Sequence, residues 1–170
     1  TTGIYKEPHS AVRASEWVNL NGSEGEVIIK EHWEESLPDL QKFSQIELPI
    51  YEQDNEQKLD IIAKHLAQGN YIVLYSNRLY GSVTRLPDRY PIMRAYYKSL
   101  FSVDLGYEPV LIETSYLSLS GINLIEDTFF RPGLPDPSKI LERTKPGIDI
   151  KVGFADESFS VYDHPKVILF

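Results

Sequence analysis

The sequence predicts an α/β fold, and three observations predict it. Short apolar runs of strand length alternate with amphipathic stretches of helix length along the 170 residues. Asn-Gly, Gly-Asn and single Gly positions close the helical stretches. No apolar run approaches the ~20 residues needed to span a bilayer, so the elements must bury their apolar faces against one another. Strand, helix, strand, helix, strand in that order implies parallel strands joined by right-handed crossovers. The expectation is a Rossmann-like open, mostly parallel sheet with helices on both faces, in a single domain over 1–170, whose last strand can run antiparallel.

The elements follow in order. Ala11, Ala14, Trp17 and Val18 share one face of a first helix, which Asn21-Gly22 ends. Asn21-Gly22-Ser23 also matches a glycosylation acceptor, a pattern that recurs by chance. Val27–Lys30 reads as a buried strand, and Ile46–Tyr51 as a second one that Pro49 keeps short or near an edge. Asp54 to Gln57 resembles a capping box, opening a helix that buries Leu59, Ile62, Ala63 and Leu66 before Gly69-Asn70. Tyr71–Tyr75 is the clearest strand. Pro91 opens a third helix in which Met93, Tyr96, Tyr97 and Leu100 are spaced i, i+3, i+4, i+7, the spacing of core residues. Gly106 ends it, Val110–Thr114 is the next strand, and Lys166–Phe170 is the last. The stretch 117–150 carries Gly121, Pro132, Gly133, Pro135, Pro137, Pro146 and Gly147, and reads as an irregular insertion with a short helix around Ser138–Arg143.

Composition narrows the function classes. A hydrophobic fraction of 42% and an aromatic fraction of 12% are those of a folded domain. Seventeen basic residues against twenty-five acidic ones give a formal charge of −8, which argues against nucleic acid as a general partner. The absence of cysteine excludes thiol catalysis, disulfides and cysteine-based zinc sites. The chain starts Thr1-Thr2-Gly3 and stops at Phe170 inside an apolar run, so both ends read as cuts through a longer protein.

In an open parallel sheet, ligands gather beyond the carboxyl ends of the strands. Glu31-His32-Trp33-Glu34-Glu35 follows the first strand and Tyr51-Glu52-Gln53-Asp54 the second. Ser76-Asn77-Arg78 follows the third and runs on to Arg85 and Arg89. With an antiparallel last strand, Tyr162-Asp163-His164-Pro165 reaches the same rim. Glu31, His32, Asn77, Arg78, Arg85, Arg89, Asp163 and His164 are therefore the candidate ligand-binding edge.

Each has a plainer reading. Glu31-His32 is an acid/base pair or part of a metal site, or a solvated strand end beside a packed Trp33. Arg78, Arg85 and Arg89 form an anion site, with Arg78 or Arg89 contributing to it, or pair with Asp88 and neighbouring carboxylates to hold a loop. Asp163-His164 resembles a catalytic dyad without a nucleophile, or is a turn fixed by Pro165. No G-x-G-x-x-G, Walker A, G-x-S-x-G or H-E-x-x-H pattern occurs. No catalytic residue, metal or cofactor is expected.

Two long segments carry a family resemblance. One is YIVLYSNRLYGSVTRLPDRYP over Tyr71–Pro91, continued by Tyr96–Phe101 and Leu105-Gly106-Tyr107; the other is DESFSVYDHPKV over Asp156–Val167. With Glu31-His32-Trp33, Leu37-Pro38 and the His9–Trp17 helix, they resemble the C-terminal soluble portion of bacterial multi-spanning membrane proteins related to glycosyltransferase family 39, the protein-mannosyltransferase-like enzymes. The similarity runs from about His9 to Phe170 and is weakest between Leu117 and Ile150. It implies a polyprenyl-phosphate sugar donor and a location on the extracytoplasmic face of the bacterial membrane. It also implies a catalytic carboxylate in a loop that this chain does not contain, so the domain is expected to be accessory. Its partners would be the membrane-embedded portion of the same polypeptide and a lipid-linked sugar or acceptor.

Two other readings stay open at this point. An independent enzyme binding a nucleotide sugar or small molecule would use the same rim. A pure interaction module would dock through 117–150, and exposure of Phe129 and Phe130 would favour it.

Overall fold

The computed structural model describes residues 7–141, 147–153 and 164–170. Its elements in chain order are α1 (Ser10–Asn21), β1 (Val27–Glu31), β2 (Ser44–Leu48), α2 (Glu56–Leu66), β3 (Tyr71–Leu74), α3 (Arg78–Val83), α4 (Pro91–Phe101), β4 (Leu111–Glu113), β5 (Leu117–Leu119), β6 (Ile122–Glu126), β7 (Ile148–Gly153) and β8 (Val167–Leu169). Five strands form a mixed sheet in the order β2-β1-β3-β8-β4. β1 is parallel to β2 and to β3, whereas β8 is antiparallel to both β3 and β4. Strands β1 to β4 therefore run one way and end on one rim, and β8 begins there.

Alternation along the strands sorts the core onto two faces. Ile28, Val73, Leu111, Val167 and Leu169 pack with Ala11, Ala14 and Val18 of α1. Ile29, Ile72, Leu74 and Ile168 face the other way, onto Ile62 of α2, Leu79 of α3, and Met93, Tyr97 and Leu100 of α4. Helices thus cover both faces of the sheet. In α4 the predicted core spacing holds: Met93, Tyr97 and Leu100 are fully buried and Tyr96 is nearly so.

The second helix departs from its expected face. Leu59 is half exposed, whereas Lys58 is only 3% exposed. The reason lies in Asp54, which does not cap α2; Asn55 does, its Oδ1 accepting from the Lys58 N–H at 2.8 Å. The Asp54 carboxylate instead accepts from Lys58 Nζ at 2.7 Å and from the Ile92 and Met93 N–H groups at 2.6 and 3.1 Å. It caps α4, a helix nearly forty residues away, whose Pro91 leaves the following donors open. Lys58 Nζ completes its set on the Ile50 and Glu52 carbonyls at 2.7 and 2.8 Å.

The stretch 117–150 is not irregular throughout. β5 and β6 form an antiparallel hairpin, and β7 joins β6 in parallel to complete a second, three-stranded sheet. Ser120 and Gly121, with φ of 51° and 81°, make the two-residue turn. A pair of left-handed residues matches the twist of a tight hairpin, so Gly121 builds the sheet where it seemed to interrupt one. The expected helix near Ser138 is a single 3-10 turn over Pro137–Lys139; 142–146 lie outside the described residues.

Asp54→Ala should cost roughly 3–5 kcal/mol in urea unfolding, because it strands a buried ammonium and uncaps α4. Asp54→Asn keeps the acceptor for the cap and should cost markedly less. Equal losses for the two variants would show that the charge of Asp54 is irrelevant.

Candidate functional site

The carboxyl rim is organised by the point where adjacent strands send their connections to opposite faces. The chain leaving β1 turns toward the α1 face, where Leu37, Leu40 and Phe43 are buried. The chain leaving β3 turns the other way into α3. Such a divergence opens a crevice in doubly wound sheets. Here it is closed by polar side chains: Ser76 Oγ donates to Glu34 Oε1 at 2.9 Å, and both residues are buried. Arg78 Nη1 reaches the Trp33 carbonyl at 3.5 Å, and the Trp33 side chain stands 68% exposed on a backbone with φ of 75°. Trp33 is not packed as the sequence suggested.

The predicted edge residues share a rim but not a site. Glu31 is fully buried, because strand alternation turns it onto the side of Ile29, under α4. Tyr97 Oη donates to its Oε1, while Oε2 has no hydrogen-bond partner among the described residues. The reading of Glu31 as a solvated strand end is therefore corrected. His32 points outward, its Nδ1 2.8 Å from Glu47 Oε2 across to β2. Asn77 is buried at the start of α3 without capping it through its side chain. Arg85 and Arg89 are exposed on the α3–α4 connection, with the Arg89 guanidinium 5.1 Å from the Tyr90 ring centre. Neither pairs with Asp88 or another carboxylate among the described residues, so the loop-holding ion pairs expected of them do not form there. His164 is half-buried ahead of β8, and Asp163 lies outside the described residues.

Burial pushes the Glu31 carboxyl well above the usual carboxylate range; the Tyr97 hydroxyl opposes this and the nearby charge of Glu34 adds to it. Burial likewise raises the Tyr96 and Tyr97 hydroxyls, with the charge of Glu31 as the next cause. The Tyr96 hydroxyl has no hydrogen-bond partner among the described residues. This cluster is enclosed beneath α4 and presents no surface to a ligand.

The opening lies elsewhere. A cavity of about 320 Å³ separates β4 and the start of β8 from β6 and β7. That volume is at the lower end of ligand pockets, roughly 300–1,000 Å³. Leu111, Ile112, Ile125 and Phe129 supply its apolar walls. Asp149 and Lys151 enter from one face of β7, and Asp127, Asp136 and Ser138 from the connection between β6 and β7. Lys151 Nζ stands 3.2 Å from Asp136 Oδ2 and 3.6 Å from Asp127 Oδ2. Asp127 Oδ1 also accepts from the Phe129 and Phe130 N–H groups at 3.0 and 2.9 Å. These contacts, together with the Ser138 hydroxyl and N–H that donate to Asp136 Oδ1, hold Asp127 and Asp136 below the usual carboxylate range against the opposing effect of burial.

Lys166 is the central cation of this cavity and was missed by sequence reasoning. It is 7% exposed; Nζ donates to the Glu126 carbonyl at 2.9 Å and to Thr128 Oγ1 at 3.2 Å, and stands 5.2 Å from the Phe129 ring centre. Thr128 Oγ1 also accepts from the buried Tyr80 hydroxyl at 3.1 Å. Burial lowers the Lys166 amine to about 8, with the charges of Glu126, Asp136 and Asp127 opposing. The available signal was a lysine directly preceding the apolar run Val167–Phe170, an expensive position unless the strand is central and the amine is held. Among the described residues, no group of three or more His, Asp or Glu is arranged to hold a metal ion.

Two pH dependences follow. Glu31 keeps its proton to higher pH in the folded chain than in the unfolded one, so its contribution to stability is lost as pH rises toward its folded value. Glu31→Gln removes that titration, and its advantage over wild type should grow with pH above the usual carboxylate range, by at most ~1.4 kcal/mol per pH unit. A difference independent of pH would refute the buried neutral acid. Lys166 behaves oppositely: between about 8 and 10.5 the unfolded chain binds more protons, so wild type gains stability there. The stability of Lys166→Met relative to wild type should fall by roughly 3 kcal/mol across that window in pH-resolved denaturant melts; no change would place the amine in solvent.

Compared with protein-family models, curated proteins and solved structures, the chain gave no match, so what it does has to be read from its own residues.

Proposed function

We propose that this chain is the accessory, ligand-holding domain of a bacterial membrane-bound glycosyltransferase that uses a lipid-phosphate-linked sugar. It would lie on the extracytoplasmic face, beside the membrane-embedded portion of the same polypeptide, without turnover when isolated. The observation that carries this reading is the cavity beside Lys166, a recess of about 320 Å³ with apolar walls and a few convergent polar groups. The parallel set β1 to β4 with helices on both faces supports a Rossmann-like ancestry for the main sheet, modified by the antiparallel β8. The two motifs over Tyr71–Pro91 and Asp156–Val167 support the link to lipid-linked sugar transfer.

One observation favours a second reading, an interaction module. Phe130 is 82% exposed, and Ile148, Ile150 and Val152 stand exposed on one face of β7. Phe129, by contrast, is buried in the main core, so only half of the expected aromatic pair is available to a partner.

Titration calorimetry of the chain against a short-chain polyprenyl-phosphate sugar should give saturable binding that Lys166→Met weakens at least ~10-fold. Silence at millimolar ligand, with the variant folded, would remove the ligand-holding role and leave the interaction module.

A further inference from the structure

We propose that the cavity takes the saccharide part of its ligand, a neutral hydroxylated ring with one apolar face, and does not take a phosphate. The inference rests on reading the cavity as a ligand site and names the chemistry of the occupant.

Charge is the first ground. Among the described residues that line the cavity, Glu126, Asp127, Asp136 and Asp149 are acidic while Lys151 and Lys166 are basic, four against two, a formal −2. A phosphate oxyanion entering there meets a field of its own sign. The cations are also engaged. Lys151 bridges Asp127 and Asp136, and Lys166 donates two hydrogen bonds to neutral oxygens. Among the described residues, no arginine lines the cavity to grip a phosphate bidentately.

The free hydrogen-bonding capacity is the second ground. The Glu126 carboxylate has no hydrogen-bond partner among the described residues, and Lys166 uses two donors of the three an ammonium carries. Lys166 is bonded to the main-chain carbonyl of that same Glu126, and both residues line the one cavity, so it holds an open acceptor and an open donor. A hydroxyl both donates and accepts and satisfies the two together. A phosphodiester offers only acceptors to Glu126, and an alkylammonium only donors to Lys166. Either would leave one of the two groups unmatched.

Shape is the third. Phe129 lines the cavity, its ring held 6.0 Å from Tyr80 in a stacked pair at 14°. With Leu111, Ile112 and Ile125 it makes the apolar side of the recess that holds the polar groups. A sugar ring has that same two-sided character, with C–H groups on a face and hydroxyls around the edge.

The test is protein-observed NMR on the whole chain, titrated separately with methyl α-mannoside, methyl β-glucoside, inorganic phosphate and spermidine. A methyl glycoside should shift the Phe129, Thr128 and Lys166 resonances saturably, and Glu126→Gln should weaken it about tenfold while leaving the unfolding midpoint near wild type. Phosphate and spermidine should leave those resonances in place. Saturation by phosphate or spermidine and not by a glycoside would overturn the saccharide assignment and keep the cavity as a ligand site. If none of the four moves these resonances at ~50 mM while the polyprenyl-phosphate sugar still binds by calorimetry, the assignment falls and the ligand-holding reading stands. If that ligand is silent too, both fall.

Discussion

The insertion of Val167–Leu169 between β3 and β4 is the constraint on which the rest of the arrangement depends. β3 and β4 are not neighbours; each pairs with β8, Leu169 standing opposite both Val73 and Leu111. Phe170 and Ile72 exchange reciprocal backbone hydrogen bonds of 2.9 Å. All three residues of β8 are fully buried, Ile168 toward the α2–α4 side and its neighbours toward α1. Ser10 at the start of α1 donates to the Pro165 carbonyl at 2.7 Å, so the first helix is seated on the segment that enters the last strand. A central strand at 167–169 that pairs with strands at 71–74 and 111–113 depends on contacts distant in sequence, a topology that favours slow folding.

Three of the buried charged residues, Lys58, Glu31 and Lys166, are each accommodated by different physics. Lys58 is held by the Asp54 carboxylate and two carbonyls, and the pair links the loop before α2 to the start of α4. Glu31 has no cation near and holds a proton instead, at a higher pH than a free carboxyl would. Lys166 has neutral oxygens and an aromatic face, and its amine is depressed toward neutrality. Only the third borders open space. A group that is perturbed but accessible is the usual mark of a site with work to do, whereas a perturbed and sealed group marks structure.

The second sheet gives that site its far wall and also presents a face to the outside. Register fixes both at once: Asp149 and Lys151 on one side of β7 meet the cavity, so Ile148, Ile150 and Val152 must stand on the other. A polar-lined recess and an apolar outer face are thus two sides of one three-stranded sheet.

The sequence by itself determined the class of fold, the parallel direction of the first strands and the core of α4, because each rests on local periodicity that solvent exclusion enforces wherever the element ends up. It also brought the polar clusters to the carboxyl ends of the strands, since chain direction is a local property. Tertiary structure alone decided what those clusters do. Glu31 and His32 are adjacent in sequence, yet alternation buries one under α4 and turns the other to Glu47. Asp54 was legible as a cap but not as the cap of a helix beginning at Pro91. The hairpin at Ser120-Gly121 was hidden because the same residues that end an element also turn a tight one. The cavity at Lys166 was invisible for the strongest reason: its walls come from β4, β6, β7 and β8, and only long-range strand pairing brings them together.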